Sequence, residues 1–306
     1  MSEPERALVA DRVDQAELFE PAAQADPASL GSGLPEAPQI PPPATTGWWE
    51  GAASSLGLAL AGTAVFIALW QLVASVSPDL PTPAETIAAL TGLLSSPLHD
   101  FGPNDQGIFR LLGTSLRRVF FGFGLAAAVG IPLGFLFGGS RLVAKAINPL
   151  VQVLRPVSPL AWYPICLVLL HNAGQASVLT IGITALWPTL INTAVGVAGI
   201  PQDHRDVARV FRFSKLKYVR QVLLPYSMTS IITGMRLSMG IAWMVIVATE
   251  MLSGGSGIGF FVWDSYNNNN NAAVVSAIIF IGLIGFALDY LFARLAQKFD
   301  YAGGTA

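Results

Sequence analysis

Three residues of one apolar stretch have the types and spacing to handle charge inside a membrane: Arg236, Trp243 and Glu250 stand seven apart. Seven residues drift only about 20° around a helix, so the three share a face. A charge within a span is costly and by default marks function, and a guanidinium on such a face offers itself to an anion. About 21 Å of helical rise separates Arg236 from Glu250, too far for them to pair directly. Each therefore needs another partner: an anion, a carbonyl or a neighbouring span for Arg236, and a polar passage or the backbone donors of Gly254-Gly255 for Glu250. Thr189 and Asn192, three apart and beside Trp187 and Thr193, are neighbours on a second apolar helix. They either line the same translocation path or bond across helices.

Bond-breaking chemistry has little material. Three scattered histidines and the lone Cys166 give no metal-ligand cluster and no internal disulfide. The chain lacks the G-x-x-x-x-G-K-[ST] phosphate loop. No catalytic residue, metal or cofactor is expected, and any ATP must be bound by another polypeptide.

The elements that position these residues are membrane helices. With 53% hydrophobic and only 12% charged residues, the chain departs from soluble composition. Apolar runs near 55–76, 119–138, 160–170, 176–198, 226–252 and 272–293 predict an all-α integral membrane protein of about six spans. Pro156, Pro159 and Pro164 interrupt the third, tolerable where neighbours satisfy the freed carbonyls. Arg155 reads as a side chain snorkelling from that span's entry, and His171 as an interfacial histidine. Residues 1–54 carry nine acidic and two basic side chains, with Pro41-Pro42-Pro43, and read as a disordered acidic tail; 301–306 form a short C-terminal tail.

Between two spans lies DVARVFRFSKLKYVRQVLLP, Asp206 to Pro225. Asp203 or Asp206 can start a helix that puts Val207, Val210 and Phe211 on one side while Arg205, Arg209 and Arg212 face elsewhere. Ser214 can cap a second helix bearing Leu216, Val219, Val222 and Leu223, and Pro225 marks a break before the next span. Such a basic amphipathic segment suits an anionic lipid surface or a protein that grips it. Its six basic residues from Arg205 to Arg220 place it in the cytoplasm. Both termini then lie inside as well, while Arg117 and Arg118 fall near the outer end of the second span. Two loops face outward. In the first, Thr82-Pro83-Ala84-Glu85 predicts a capping box and a short helix on the membrane surface; the second, 253–271, is glycine-rich and ends in five asparagines. Stripes of small residues, Gly122-Ala126-Gly130-Gly134-Gly138 and Ser230-Gly234-Ser238-Ala242, let helices approach closely within one bundle or at a dimer seam.

Asp206-Val207-Ala208 followed by Leu224-Pro225 resembles the Glu-Ala-Ala signature of permease subunits in ABC importers; where that family has a glycine after the triplet, this chain has Arg212. Gly130-Ile131-Pro132-Leu133-Gly134, the run Leu154 to Trp162, Ala185-Leu186-Trp187-Pro188 and the run Gly257 to Asp264 are similar to the nitrate, sulfonate and bicarbonate branch, most of all to nitrate permeases. The resemblance covers roughly 55–300. It implies a type I ABC importer permease of a bacterial inner membrane, moving a small anion by alternating access, nitrate or nitrite first and bicarbonate or a sulfonate otherwise. It implies a homodimer with a second permease copy, two cytoplasmic P-loop ATPase subunits docked on 203–225 through Asp206, Val207, Ala208, Arg209, Val210, Phe211, Ser214 and Pro225, an external substrate-binding protein, and no nucleic acid. A self-contained secondary transporter or channel is the competing class; no internal repeat of the kind many such carriers show is visible.

Overall fold

The structure, a computed structural model, describes residues 48–102 and 105–299; most of the expected acidic tail and the whole C-terminal tail lie outside the described residues. A first helix, α1 (Trp48–Val76), is followed by α2 (Pro83–Ser95), a small hairpin of β1 (Asp100–Gly102) and β2 (Asp105–Gln106), and then α3 (Ile108–Gly139), α4 (Arg141–Leu154), α5 (Pro159–Leu170) and α6 (Ala173–Ala198). The chain continues through α7 (Gln202–Val210), α8 (Lys215–Tyr218), a π-helical turn over Val219–Leu223, α9 (Leu224–Ser253), α10 (Ile258–Asn267) and α11 (Asn271–Phe299). Five helices are long and apolar enough to cross a membrane, and α4 with α5, bent by 97° at the proline-rich break, brings the number to six if the pair is one span.

The small-residue stripes decide the packing. A Cβ placed on Gly122 would stand 2.6 Å from the Ile181 side chain, and one on Gly134 2.5 Å from Thr193, so the stripe of α3 lets that helix lie directly on α6. The other stripe brings α9 onto an adjoining side of α6, with Gly234 against Asn192 and Ser230 against Gly196. Both stripes thus serve the interior of one chain. Increasing residue numbers pair with increasing numbers between α3 and α6 and with decreasing numbers between α6 and α9, which makes the first pair parallel and the second antiparallel. The buried core runs through Val119, Ile181, Ala185, Met239, Ala242 and Ile246.

At the end where α3 and α6 begin, Thr82 and Glu85 form the expected capping box, Thr82 Oγ1 accepting from Glu85 N and Glu85 accepting from Thr82 N at 2.8 Å. The helix it starts is tied to α11 by Ser276, whose hydroxyl reaches the Thr86 carbonyl at 3.3 Å, and Ile87 and Leu94 are left exposed. The second loop contains a helix, α10, that the asparagine run obscures in the sequence. In the hairpin, His99 Nε2 pairs with Asp105 at 2.9 Å. The Ser96 carbonyl and the Asp105 carboxylate hold its imidazole protonated above the ordinary 6.5. A pKa raised on folding adds stability that is fully present below 6.5 and is lost as pH rises through the raised value. The hairpin is therefore expected to become more protease-sensitive as pH climbs through that raised value, and Asp105→Asn to weaken that dependence in limited proteolysis.

Candidate functional site: a helical handle and the polar contacts behind it

Gln202–Val210 forms one helix turn after turn, with Asp203 in its first turn, where negative charge complements the exposed amides. Its N-cap is Pro201, upstream of both aspartates. The helix ends in a Schellman motif: Phe213 N donates to Ala208 O at 2.9 Å and Arg212 N to Arg209 O at 3.0 Å. That motif needs a left-handed residue between them, usually glycine, and Arg212 supplies it at φ +47°. The glycine of the family signature has a physical reason here, and so does the cost of departing from it. Arg212→Gly is expected to stabilise this turn by about 1 kcal/mol, the net gain trimmed by glycine's backbone entropy, and Arg212→Val to weaken it; hydrogen exchange at Phe213 N–H reads both.

Ser214 caps α8, its Oγ accepting from Lys217 N at 3.3 Å. Instead of breaking before the span, the chain runs on from Leu216 to Ser253 as 38 helical residues. Pro225 has no N–H for the Gln221 carbonyl, and its ring crowds that oxygen. The wide turn just before it, where Leu224 N bonds back five residues to Val219 O, absorbs the mismatch.

This handle is anchored on one side and open on the other. Ala208 and Leu223 are buried, and Leu223 packs with Val197, Ile200, Phe135 and Tyr218. Arg205 Nη2 donates to Val197 O at 3.3 Å and Tyr226 Oη to Gly199 O at 3.0 Å. Outward stand Val210, 78% exposed, Phe211, 70%, and Val207, 52%. Beside them Arg205, Arg209 and Arg212 line a cleft of about 480 Å³ with Phe213 and Tyr218. Asp206 meets Arg209 at 3.1 Å, an exposed pair of little energetic weight. A rigid apolar knob ringed by arginines is a shape for gripping.

The polar residues of the spans are occupied by one another or by backbone carbonyls. Arg236, Trp243 and Glu250 do share a face of α9; the face turns into the bundle at Trp243 and Glu250, while Arg236 stays exposed. Arg236 forks Asp289 of α11 through Nε and Nη2, both at 2.6 Å. Trp243 Nε1 donates to Ile281 O at 3.0 Å. Glu250 is fully buried: its carboxylate takes Arg118 Nη1 at 2.8 Å, Ser115 Oγ at 2.8 Å and Gly259 N at 3.0 Å. Gly257, at φ +124°, leaves the room this requires, since a Cβ there would lie 2.2 Å from the Glu250 Cδ. Ser238 gives its single hydroxyl proton to Ala185 O at 2.6 Å, so Thr189 is the donor in its 2.7 Å contact with Ser238. Asn192 Nδ2 donates to Pro188 O at 2.8 Å.

The sequence reasoning missed Arg118, Ser115 and Asp289 as partners. The signal for Arg118 was present: a glutamate inside a span requires a cation, and α3, which begins at Ile108 rather than Val119, carries two arginines at the matching depth.

Comparison with known proteins agrees with this architecture. The family described as "Binding-protein-dependent transport system inner membrane component" matches residues 130–301. The nitrate import permease protein NrtB of Leptolyngbya laminosa is 44% identical over 76% of this chain and 84% of its own length. The bicarbonate transport system permease protein CmpB of Synechococcus elongatus is 43% identical over 81% and 91%. Among solved structures, an inward-facing MetNI methionine ABC transporter matches in fold with a TM-score of 0.55, at 15% identity, over 63% of this chain and 95% of that one. The chain is a multi-pass permease belonging to the family of binding-protein-dependent transport system inner membrane components.

Proposed function

We propose that this permease imports a small inorganic anion, nitrate or nitrite, by alternating access, driven by two ATPase subunits that grip the handle from the cytoplasm. The observation that carries this reading is the exposed knob of Val207, Val210 and Phe211 on a helix pair that is anchored at its base and continuous with α9. A lone basic helix lying on lipid would need none of that anchoring. The basic residues of the handle support a cytoplasmic position for it, and with it for both termini, at a bacterial inner membrane. The assembly contains a second permease copy and an external binding protein that delivers the solute.

Nitrate is favoured by several relatives named as nitrate permeases at 39–44% identity. Bicarbonate is the second reading, because the relatives named for it reach 43%. Uptake by the reconstituted assembly, with labelled nitrate and labelled bicarbonate in competition, decides between them. Nitrate uptake that bicarbonate does not suppress is expected; uptake of bicarbonate alone overturns the assignment.

A further inference from the structure

α5 is too short to cross a bilayer. Its 12 residues rise about 18 Å, against a hydrocarbon core of roughly 30 Å. It ends at the turn at His171, at the end of the bundle where α6 begins, and so its start at Pro159 lies only as deep as the middle. A cavity of about 260 Å³ gives the same depth independently: Arg155, Pro156 and Ser158 line it together with Thr184, Trp187 and Pro188 of α6. Those α6 residues lie at least about 15 Å from either end of their helix. Arg155 therefore stands at mid-depth, beyond the membrane entry from which a snorkelling arginine would reach water.

Arg155 also lines a second cavity, of about 770 Å³, with Arg141, Asn148 and Gln152 of α4. These α4 residues recur at helical spacing on one face, while Leu142, Leu150 and Val153 on the other face are 82%, 57% and 67% exposed. The polar side of α4 thus faces the cavity and its apolar side faces outward, the arrangement of a helix that borders a wet passage. Irregular backbone at membrane depth survives only where protein or water satisfies it, and Arg155, Pro156 and Ser158 are all exposed in the single chain. Arg118 and Arg236 are each neutralised by a carboxylate. Among the described residues Arg155 has no ion pair and no side-chain hydrogen bond.

We propose that Arg155, at the elbow between α4 and α5, is the mid-membrane contact for the transported anion. Its guanidinium presents parallel N–H donors that suit a planar oxyanion. The proposal rests on the anion-import reading and adds to it a residue and a place.

The test uses the complete assembly of permease, ATPase subunits and binding protein in vesicles. Arg155→Gln is expected to lower nitrate uptake by about 10- to 100-fold while assembly and basal ATP hydrolysis persist, and Arg155→Lys to retain part of it. Uptake by Arg155→Gln within about twofold of the parent overturns the proposal. A second readout does not depend on transport. Cys166 is the only cysteine, so Ser158→Cys in a Cys166→Ala background carries one thiol beside Arg155. A sulfonate-bearing methanethiosulfonate is expected to label it about tenfold faster than a trimethylammonium one. That preference should vanish with Arg155→Gln and weaken when nitrate is added. An unreactive thiol, or a preference indifferent to Arg155, overturns the proposal. So does a preference that appears only in vesicles containing phosphatidylglycerol, because the ligand is then a lipid headgroup. An assembly that carries no anion would sink the import reading, while the labelling ratio would still report on the elbow.

Discussion

Replacing Arg118 by methionine is expected to destabilise the bundle by about 3–5 kcal/mol. The size follows from Glu250, which is fully buried and keeps only Ser115 and the Gly259 amide once the guanidinium is gone. An uncompensated buried carboxylate is far more costly than a missing pair. The double variant Arg118→Met with Glu250→Gln should therefore recover a large part of the loss, because a neutral amide can still bond to Ser115. Thermal unfolding in detergent separates the cases. A single variant within about 1 kcal/mol of the parent would show that water reaches Glu250 and that the network does not hold that end of the bundle together. The location gives this weight: the pair joins α3 to α9 and, through Ser256 and Gly259, to the loop before α10 and to the first turn of α10.

Phe211→Ala and Arg209→Glu are each expected to cut transport-coupled ATP hydrolysis by about tenfold or more while the chain still inserts and folds. Phe211 is 70% exposed, so its removal leaves no cavity within the chain, and any loss must come from a partner. Fully burying such a side chain against a partner is worth about 1.5–3 kcal/mol, or roughly 10- to 100-fold in docking. Reversal at Arg209 swaps attraction for repulsion at the rim and breaks only an exposed pair with Asp206. Hydrolysis measured with the reconstituted ATPase reads both variants; unchanged coupling in both removes the handle from the mechanism. The handle and the Glu250 network occupy opposite ends of one element, since the helix from Leu216 to Ser253 spans 38 residues, or about 57 Å.

Much of this was legible in the sequence where one physical rule acts locally. The presence of the spans follows from bilayer thickness, though α3 begins at Ile108 and the helix continuous with α9 at Leu216, well before the expected 119 and 226. The capping box at Thr82 follows from four adjacent residues. The two-helix form of 202–218 follows from its amphipathic spacing. The small-residue stripes announced close helix contacts, though not that both would converge on α6. What stayed hidden depends on pairing distant segments. Ser115 and Arg118 meet Glu250 across more than 130 residues, and Arg236 finds Asp289 across 53. Pro225 read as a break because proline usually ends a helix; the π turn that absorbs it is a backbone adjustment with no signature of its own. Arg155 read as a snorkelling side chain because the proline-rich run gives no sign of a 97° bend, and that bend sets its depth. The difference at Arg212 was visible, but its meaning required the left-handed backbone that makes glycine the usual choice.

The central claim is that this chain moves solute only when a separate ATPase grips residues 202–223. The most direct measurement compares anion uptake into vesicles holding the permease alone, under an imposed ion gradient, with uptake into vesicles holding the permease, ATPase subunits and binding protein with ATP. The account predicts uptake only in the second, abolished when ATP is replaced by a non-hydrolysable analogue. Uptake by the permease alone, at a rate indifferent to ATP, would contradict it.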